Sequence, residues 1–504
     1  MVVRVFGDPP LTHPLHFFID GEWTAPSSDA TLDVIAPATE QLYVRVAQAQ
    51  REDIDRAVSA AREAFDRGPW PHLSHDERSA YLRAIAAGLD ERSRDISTIW
   101  PNEMGILHSM AQSFAGGAGR MYRSYADLAA TFAFEEEHTT TAGAPVGLLT
   151  REPVGVVAII VPWNGPIMSI AVKLAPALLA GCTVIIKASP EAPGHALLLA
   201  EVVEAAGLPK GVVNVITAER DVSELLVKHP GIDKVAFTGS TAAGKKIAGI
   251  LAGRMARYTM ELGGKSAAII LDDYDCEAAA QTIVANVIRM TGQMCAALTR
   301  IIITGGRHDR MLEALATACE SVRVGDPFDA TSQMGPLASR RQRERVETYI
   351  ARAREDGFTL AAGGHRPQGI DRGFYIRPTV FGNVRNDSVI AREEVFGPVL
   401  SVISTRDESE SIVIANESDY GLAGAVFTND VDRAYAIARK IRTGTMGHNG
   451  LTADFGIAFG GFKSSGVGRE GGLEGLLSFL ESKTILLQQM PSHRYRDAVP
   501  AFES

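Results

Sequence analysis

Four short stretches of this chain carry residue types that could do chemistry together. Gly292-Gln293-Met294-Cys295 places a thiol in a glycine-flanked loop, and a thiol becomes a nucleophile where a helix start or a nearby base activates it. Glu261-Leu262-Gly263-Gly264-Lys265 places a carboxylate at the end of an apolar run. Low polarity there raises a carboxyl pKa toward neutrality, which suits a general base. Val161-Pro162-Trp163-Asn164 ends an apolar run in a side-chain amide that can donate to a developing oxyanion. Gly239-Ser240-Thr241-Ala242-Ala243-Gly244 follows the run KVAFT and opens a helical pattern. Glycine there lets backbone approach a pyrophosphate, Ser240 adds a hydroxyl, and the helix start adds free N–H groups.

Taken singly, each stretch also has a plain structural reading. Gly239 to Gly244 fits an ordinary strand-to-helix turn, Glu261 a surface carboxylate at a strand end, and any of the four cysteines a small buried hydrophobe. The plain reading is kept for Cys182, Cys276 and Cys319. A literal GxGxxG occurs at Gly466 to Gly471, but no strand precedes it, so it is not a dinucleotide fingerprint. The HxxH pairs His13/His16 and His72/His75 lie near prolines with no carboxylate pattern, so they read as solvated surface histidines and no metal site is expected.

Elements that could position these groups follow from pattern. Helical spacing runs over 53–65 and 77–90, and the first 130 residues read as mainly helical after the extended start FFIDGEW. From Val154, short β-branched runs (154–162, 183–188, 212–217, 234–239, 258–262, 266–271) alternate with helical stretches, which indicates βαβ units and a parallel sheet. Their near-continuous apolarity is what burial on both faces demands. A second α/β pattern opens with a helix over 278–290 and continues to about Gly460. The polar stretch 131–150 reads as an arm, and KTILLQQ (483–489) as a strand able to pair with another chain's edge. The expected fold is α/β: a Rossmann-like parallel-sheet cofactor domain (18–130 and 153–261), a second α/β catalytic domain (262–464) carrying Cys295, and a small β-rich oligomerisation arm (131–152 and 480–495).

At 504 residues, two or three domains are expected. Sixty acidic against 50 basic residues give a net charge of −10, which argues against a nucleic-acid partner. The N-terminus shows no signal-peptide pattern. The longest apolar run, Leu174 to Ile186, is too short to span a bilayer. Four scattered cysteines without a CxxC pair fit a reducing, cytoplasmic setting.

In order along the chain, PWN at 162–164, GSTAAG at 239–244, ELGGK at 261–265, GQMC at 292–295, EEVFGPV at 393–399 and FGGFKSSGVGRE at 459–470 resemble the aldehyde dehydrogenase superfamily. The likeness covers roughly Phe18 to Leu487, and Glu261 and Cys295 lie 34 positions apart, as the family pattern expects. The resemblance implies an NAD(P)-dependent oxidation of an aldehyde to a carboxylic acid. Cys295 matches the nucleophile that forms a thiohemiacetal and then a thioester, Asn164 the oxyanion donor, and Glu261 the base that activates water. Glu470 matches a second carboxylate near the water path, and Lys173 a lysine lining the site. Trp163, Lys187, Gly239, Ser240, Gly244 and Leu262 match cofactor contacts, and Glu394 and Phe396 match residues that hold the nicotinamide ribose and ring. A homodimer or homotetramer is implied as well.

Departures from the pattern carry information. The family often has a ribose-binding glutamate three residues after the lysine matched by Lys187, but Pro190 stands there and Glu191 follows. Without a carboxylate at that position a 2′-phosphate is less strongly excluded, so the expected cofactor is NAD with NADP left open. Gly165 replaces a common aromatic residue and Val172 a common tryptophan, so a wide, apolar pocket for bulky aliphatic or aromatic aldehydes is expected. A CoA-acylating relative would generally lack the base in ELGGK. A thiol hydrolase would not need the cofactor stretches, and a non-catalytic protein would need neither.

Overall fold

In the computed structural model, which describes residues 8–492, the chain builds two parallel-cored sheets, and the chemistry-bearing stretches lie where the chain passes from the strands of one to those of the other. The first sheet has eight strands, in the order Glu22–Thr24, Phe17–Ile19, Val213–Thr217, Thr183–Ala188, Val156–Ile160, Lys234–Thr238, Arg257–Glu261 and Gly466–Val467. Its five middle strands are parallel. Three of them (Val156–Ile160, Thr183–Ala188 and Val213–Thr217) are buried at every position, as a sheet covered on both faces requires.

Chain order and sheet order diverge between Val156–Ile160 and Lys234–Thr238. These strands are neighbours in space although two other parallel strands separate them in sequence. At such a switch point the helices before and after turn to opposite faces, and a crevice opens beyond the carboxyl ends of the two strands. One of those ends runs into Trp163 and Asn164, the other into Gly239 and Ser240.

The second sheet has seven strands, in the order Thr359–Ala362, Thr379–Gly382, Val399–Thr405, Leu298–Thr304, Ser266–Ile270, Ala423–Phe427 and Thr445–His448. All its pairings are parallel except that of Thr359–Ala362. The passage between sheets is short. Arg257–Glu261 ends the first, and four residues later Ser266–Ile270 begins the second. Ser266 pairs with Leu298, three residues after Cys295, so Glu261 at one sheet's exit and Cys295 at the other's entrance are held close by chain connectivity alone.

A three-stranded antiparallel sheet joins Leu480–Leu487, Val146–Pro153 and Glu135–His138, with Leu480–Leu487 along one edge. Residues 493–495, expected to end the arm, lie outside the described residues. Among the described residues no helix is long and apolar enough to cross a membrane.

Several local expectations change. The helices of the first 130 residues run over Arg51–Asp66, His75–Glu91, Ser93–Met104 and His108–Leu128, but a hairpin of Thr31–Ala36 and Gln41–Ala47 precedes them. The helix expected over 278–290 is Cys276–Ile288 and stops earlier, because Met290 and Thr291 adopt left-handed backbone. Of the HxxH histidines, His13 packs against Trp23 at 4.7 Å and His75 stacks on Phe134 at 3.6 Å; only His72 is exposed. Cys182, Cys276 and Cys319 are buried, as expected.

Candidate active site

Cys295 is half-buried and packs beside the cluster of Ala296, Leu422, Ala423 and Phe459, next to Leu451 and Phe455. The loop that delivers it is under strain. Met290, Thr291 and Gly292 have φ of 50°, 56° and 72° in succession, and left-handed backbone is costly for a β-branched residue such as Thr291. At Gly292 the turn presses against the backbone of Gly397, so close that a side chain there would collide with it.

Hydrogen bonds over-determine this conformation. The Thr291 hydroxyl donates to the Gly335 carbonyl at 3.0 Å, the Gln293 amide donates to the Met290 carbonyl at 2.9 Å, and Gln293 Oε1 accepts from the Ala338 N–H at 2.9 Å. Burial pushes the Cys295 thiol up to about 12, with the charges of Glu394 and Glu261 adding to the effect.

Asn164 reaches this loop from the first sheet. Its side-chain amide donates to the Gln293 carbonyl at 2.9 Å, two residues before Cys295. Its own carbonyl accepts from the Trp100 indole N–H at 2.9 Å. The helix Pro166–Ala180 starts immediately afterwards, with proline at its first position, where a missing N–H costs nothing. Lys173 lies on that helix, pairs with Glu470 at 2.6 Å and donates to the Thr238 hydroxyl at 2.5 Å.

Glu261 is 4% exposed, and neither carboxylate oxygen has a hydrogen-bond partner among the described residues. It is not the surface carboxylate of the plain reading. Burial raises its pKa well above the ordinary value and the charge of Glu470 raises it further, while Lys173 and Arg469 oppose. Gly466 pairs with Glu261 across the sheet edge, so the GxGxxG of the sequence is an edge strand and turn that bring Glu470 to Glu261.

The remaining matched residues form two groups around the switch point. In one, Glu394 accepts from the Gly264 N–H at 3.0 Å and is pushed up by burial to about 7. Phe396 meets Trp163 edge-on at 5.4 Å and has φ of 61°. The helix Arg340–Glu355 braces this stretch: Gln342 donates to the Phe396 carbonyl at 2.6 Å and Arg345 to the Glu394 carbonyl at 2.6 Å.

In the other group, Lys187 is buried and pushed down to about 8, chiefly by that burial. Glu191 accepts from the Ser189 hydroxyl at 2.5 Å and from Arg341 at 2.6 Å. Ser240 caps the helix Thr241–Ala252, accepting from the Ala243 N–H at 3.3 Å, and stays exposed there. The Gly239 N–H donates to the Glu261 carbonyl at 3.0 Å. Gly244 has a packing role: a methyl group on it would lie 2.5 Å from Leu262, so its glycine lets helix and strand close on each other.

All thirteen matched residues thus surround the end of the first sheet and the start of the second. Sequence reasoning did not single out Thr238, Trp100, Gln342, Arg345 or Ser465. The Ser465 hydroxyl donates to the Gly263 carbonyl at 2.7 Å and accepts from the Gly421 N–H at 2.9 Å, tying the crossing segment to both neighbours. It lay within the FGGFKSSGVGRE stretch, but a serine beside another serine and glycine gives no local sign of such a bridge. Val172, read as opening the pocket, is buried in the core, whereas Gly165 faces open space with only Trp100 within 4 Å, at 3.9 Å.

Residues 23–485 match the aldehyde dehydrogenase family model, and the chain belongs to that family of enzymes, which oxidise aldehydes to acids. It is 41% identical over 473 residues to a geranial dehydrogenase of Castellaniella defragrans, covering 94% of this chain and 98% of that one. It is 40% identical over 474 residues to a 3-succinoylsemialdehyde-pyridine dehydrogenase of a Pseudomonas species, covering 93% and 98%. Among solved structures, a Mycobacterium tuberculosis aldehyde dehydrogenase complexed with NAD+ superimposes with a TM-score of 0.92 at 42% identity, covering 95% of this chain and 99% of that one. A cysteine-to-alanine mutant of a Pseudomonas syringae aldehyde dehydrogenase, solved with NAD+ and octanal, gives 0.90 at 38% identity, covering 94% and 97%.

Proposed function

We propose that this enzyme oxidises a bulky, apolar aldehyde, aliphatic or aromatic, to its carboxylic acid with NAD, through a thioester on Cys295 that water attacks with Glu261 as base. The observation that carries the reading is the convergence of an activatable thiol, an amide donor and an unpartnered buried carboxylate at the junction of the two sheets.

The residues at the switch point fit a dinucleotide. Gly239, Ser240 and the exposed start of the helix Thr241–Ala252 suit a pyrophosphate, Lys187 an adenosine ribose, and Glu394, Phe396 and Trp163 the nicotinamide end. NAD, when bound, supplies the hydride acceptor. Its choice over NADP is supported by the NAD+ complexes of the solved relatives. The residues 18–130 with 153–261 then serve as the cofactor domain and 262–464 as the catalytic domain. The sheet of Leu480–Leu487 leaves an edge to a second copy of the chain.

The protein's own groups perform the rest. Cys295 gives up its proton to solvent as sulfur bonds to the aldehyde carbon, and the negative charge moves to the carbonyl oxygen. Asn164 and the Cys295 backbone N–H are the donors that would meet that charge with N–H dipoles, the kind of stabilisation on which acyl-transfer sites rely most. Once the hydrogen on the aldehyde carbon has left as hydride and the C=O bond has re-formed to give the thioester, Glu261 takes a proton from water as it adds to the carbonyl carbon, and sulfur leaves. The raised pKa of Glu261 makes it a stronger base at neutral pH than an exposed glutamate, provided that it is ionised. Glu470 raises that pKa and Lys173 tempers it, so the pair sets the pH at which the base works.

Gly165 supports the substrate class, because it leaves room beside Asn164 that an aromatic side chain would fill. The names of the relatives point the same way: geranial is a branched ten-carbon aldehyde, and octanal a linear eight-carbon one. The test is a panel from acetaldehyde to octanal, geranial and benzaldehyde, with NAD and with NADP, followed at 340 nm. The expected result is the highest kcat/KM with a bulky aldehyde and NAD. Acetaldehyde or an acidic semialdehyde outrunning every bulky aldehyde would refute the substrate class.

A further inference from the structure

Behind the crossing segment lies a second charged place that the chemistry above does not use. Lys265 is 3% exposed, and its ammonium has no hydrogen-bond partner among the described residues. Arg300, on the neighbouring strand Leu298–Thr304, is 1% exposed. Its terminal nitrogens donate to Asn386 Oδ1 at 2.9 Å and to the carbonyls of Ile414 and Ala415 at 3.0 and 2.8 Å, while its Nε has no partner. Neither cation forms an ion pair among the described residues.

Both line one small cavity, closed otherwise by Leu422, Ile441, Thr443 and Tyr420, with about 10 Å³ of free room, enough for one water-sized occupant. Burial, together with the charge of Arg300, pushes Lys265 down to about 7, while Glu394 and Glu393 act on Lys265, and Glu417 on Arg300, in the opposite sense.

Two cations desolvated together are costly unless a counter-charge lies between them. The groups that bond Arg300 are neutral, Glu417 bonds Asn386 rather than Arg300 itself, and Lys265 has no acceptor among the described residues. A dipolar water could satisfy one donor at each end, but a small anion also cancels charge. We propose that this cavity is a binding site for a single small monatomic anion of the chloride class, held between Lys265 Nζ and Arg300 Nε.

Its effect is structural. Lys265 ends the four-residue crossing in which Gly264 meets Glu394, and Arg300 lies five residues after Cys295. An anion joining the two fastens the entrance strands of the second sheet behind the site.

Crystals of the wild-type enzyme grown in chloride and measured at long wavelength test this directly, alongside thermal unfolding in sodium chloride and in sodium gluconate at matched ionic strength. We expect an anomalous chloride peak between the two nitrogens. We also expect a saturable rise in Tm of about 2 °C or more in chloride that is absent from Lys265→Met. A cavity peak without anomalous signal is a neutral water and overturns the proposal. A chloride effect of equal size in Lys265→Met places the anion elsewhere and overturns it too. Should that variant fail to fold, the wild-type crystal decides alone.

Discussion

The two sides of the proposed active site are built by different means. Around Cys295 the backbone does the positioning: three successive left-handed residues, locked by Thr291 and Gln293, present the thiol among apolar side chains, and Asn164 holds the loop through one amide bond. Around Glu261 the positioning is electrostatic. A carboxylate with no hydrogen-bond partner among the described residues sits within the field of the ion pair formed by a second carboxylate, Glu470, and Lys173. The difference separates two kinds of defect. Changes on the nucleophile side should alter rates with little effect on pH dependence, whereas changes on the water side should move pH profiles as well as rates.

The largest effect is expected from removing the thiol. Cys295→Ala should lower turnover by about 10⁴-fold or more, because no other group at the junction can form the covalent adduct. Binding of NAD, measured by calorimetry, should survive. Residual dehydrogenation above a few per cent would show that another group accepts the aldehyde.

Next comes Glu261→Gln, which keeps the side chain's size and removes the base. It should slow deacylation by about 10²- to 10⁴-fold and leave the first turnover nearly intact, giving a rapid burst of reduced cofactor followed by a slow steady state. Equal loss of burst and steady state would remove the distinction between the two sides. In the parent enzyme the deacylation rate should rise with pH. Only the ionised form of Glu261 accepts a proton, and its raised pKa carries this limb to higher pH than an exposed glutamate would give.

Much of this arrangement is legible in the sequence, for identifiable reasons. The parallel strands announce themselves because burial on both faces forces uninterrupted apolar residues, as in Val156–Ile160 and Thr183–Ala188. The hairpin of Thr31–Ala36 and Gln41–Ala47 is less visible. Only every second residue of Thr31–Ala36 is buried, and a reading that took the region as helical had no reason to pair it with the next run. Cys295, Glu261 and Asn164 sit in recognisable stretches, but what holds them does not. Trp100 lies 64 residues before Asn164, and Gln342 lies 54 before Phe396, so no local period could reveal either contact. Gly244 teaches the converse. It read as a cofactor glycine, and the structure adds a packing reason that the motif did not show, the side chain of Leu262 against the helix.

A finer test of the electrostatic side uses a pair of variants with opposite signs. Glu470 raises the pKa of Glu261 and Lys173 lowers it. Glu470→Gln should therefore shift the alkaline-rising limb of the deacylation profile to lower pH, and Lys173→Met should shift it to higher pH. Single-turnover rates of the thioester step across pH 5 to 9 would read this out. A shift in the same direction for both would mean that packing around Glu261, rather than charge, sets its pKa.

The smallest expected effect belongs to the nucleophile side and concerns shape alone. Gly165 follows Asn164 directly, and a side chain there would enter open space with Trp100 as its nearest wall. Gly165→Phe should fill that space while leaving the Asn164 amide bond to the Gln293 carbonyl in place. A change of this kind is worth about 1–3 kcal/mol of discrimination, so kcat/KM for geranial should fall by roughly 10- to 100-fold relative to acetaldehyde. The pH profile should not move, because no charged group changes. Because φ at Gly165 is −144°, the new residue meets no left-handed strain, and a loss of activity toward both aldehydes alike would point to disturbance of Asn164 rather than to lost room.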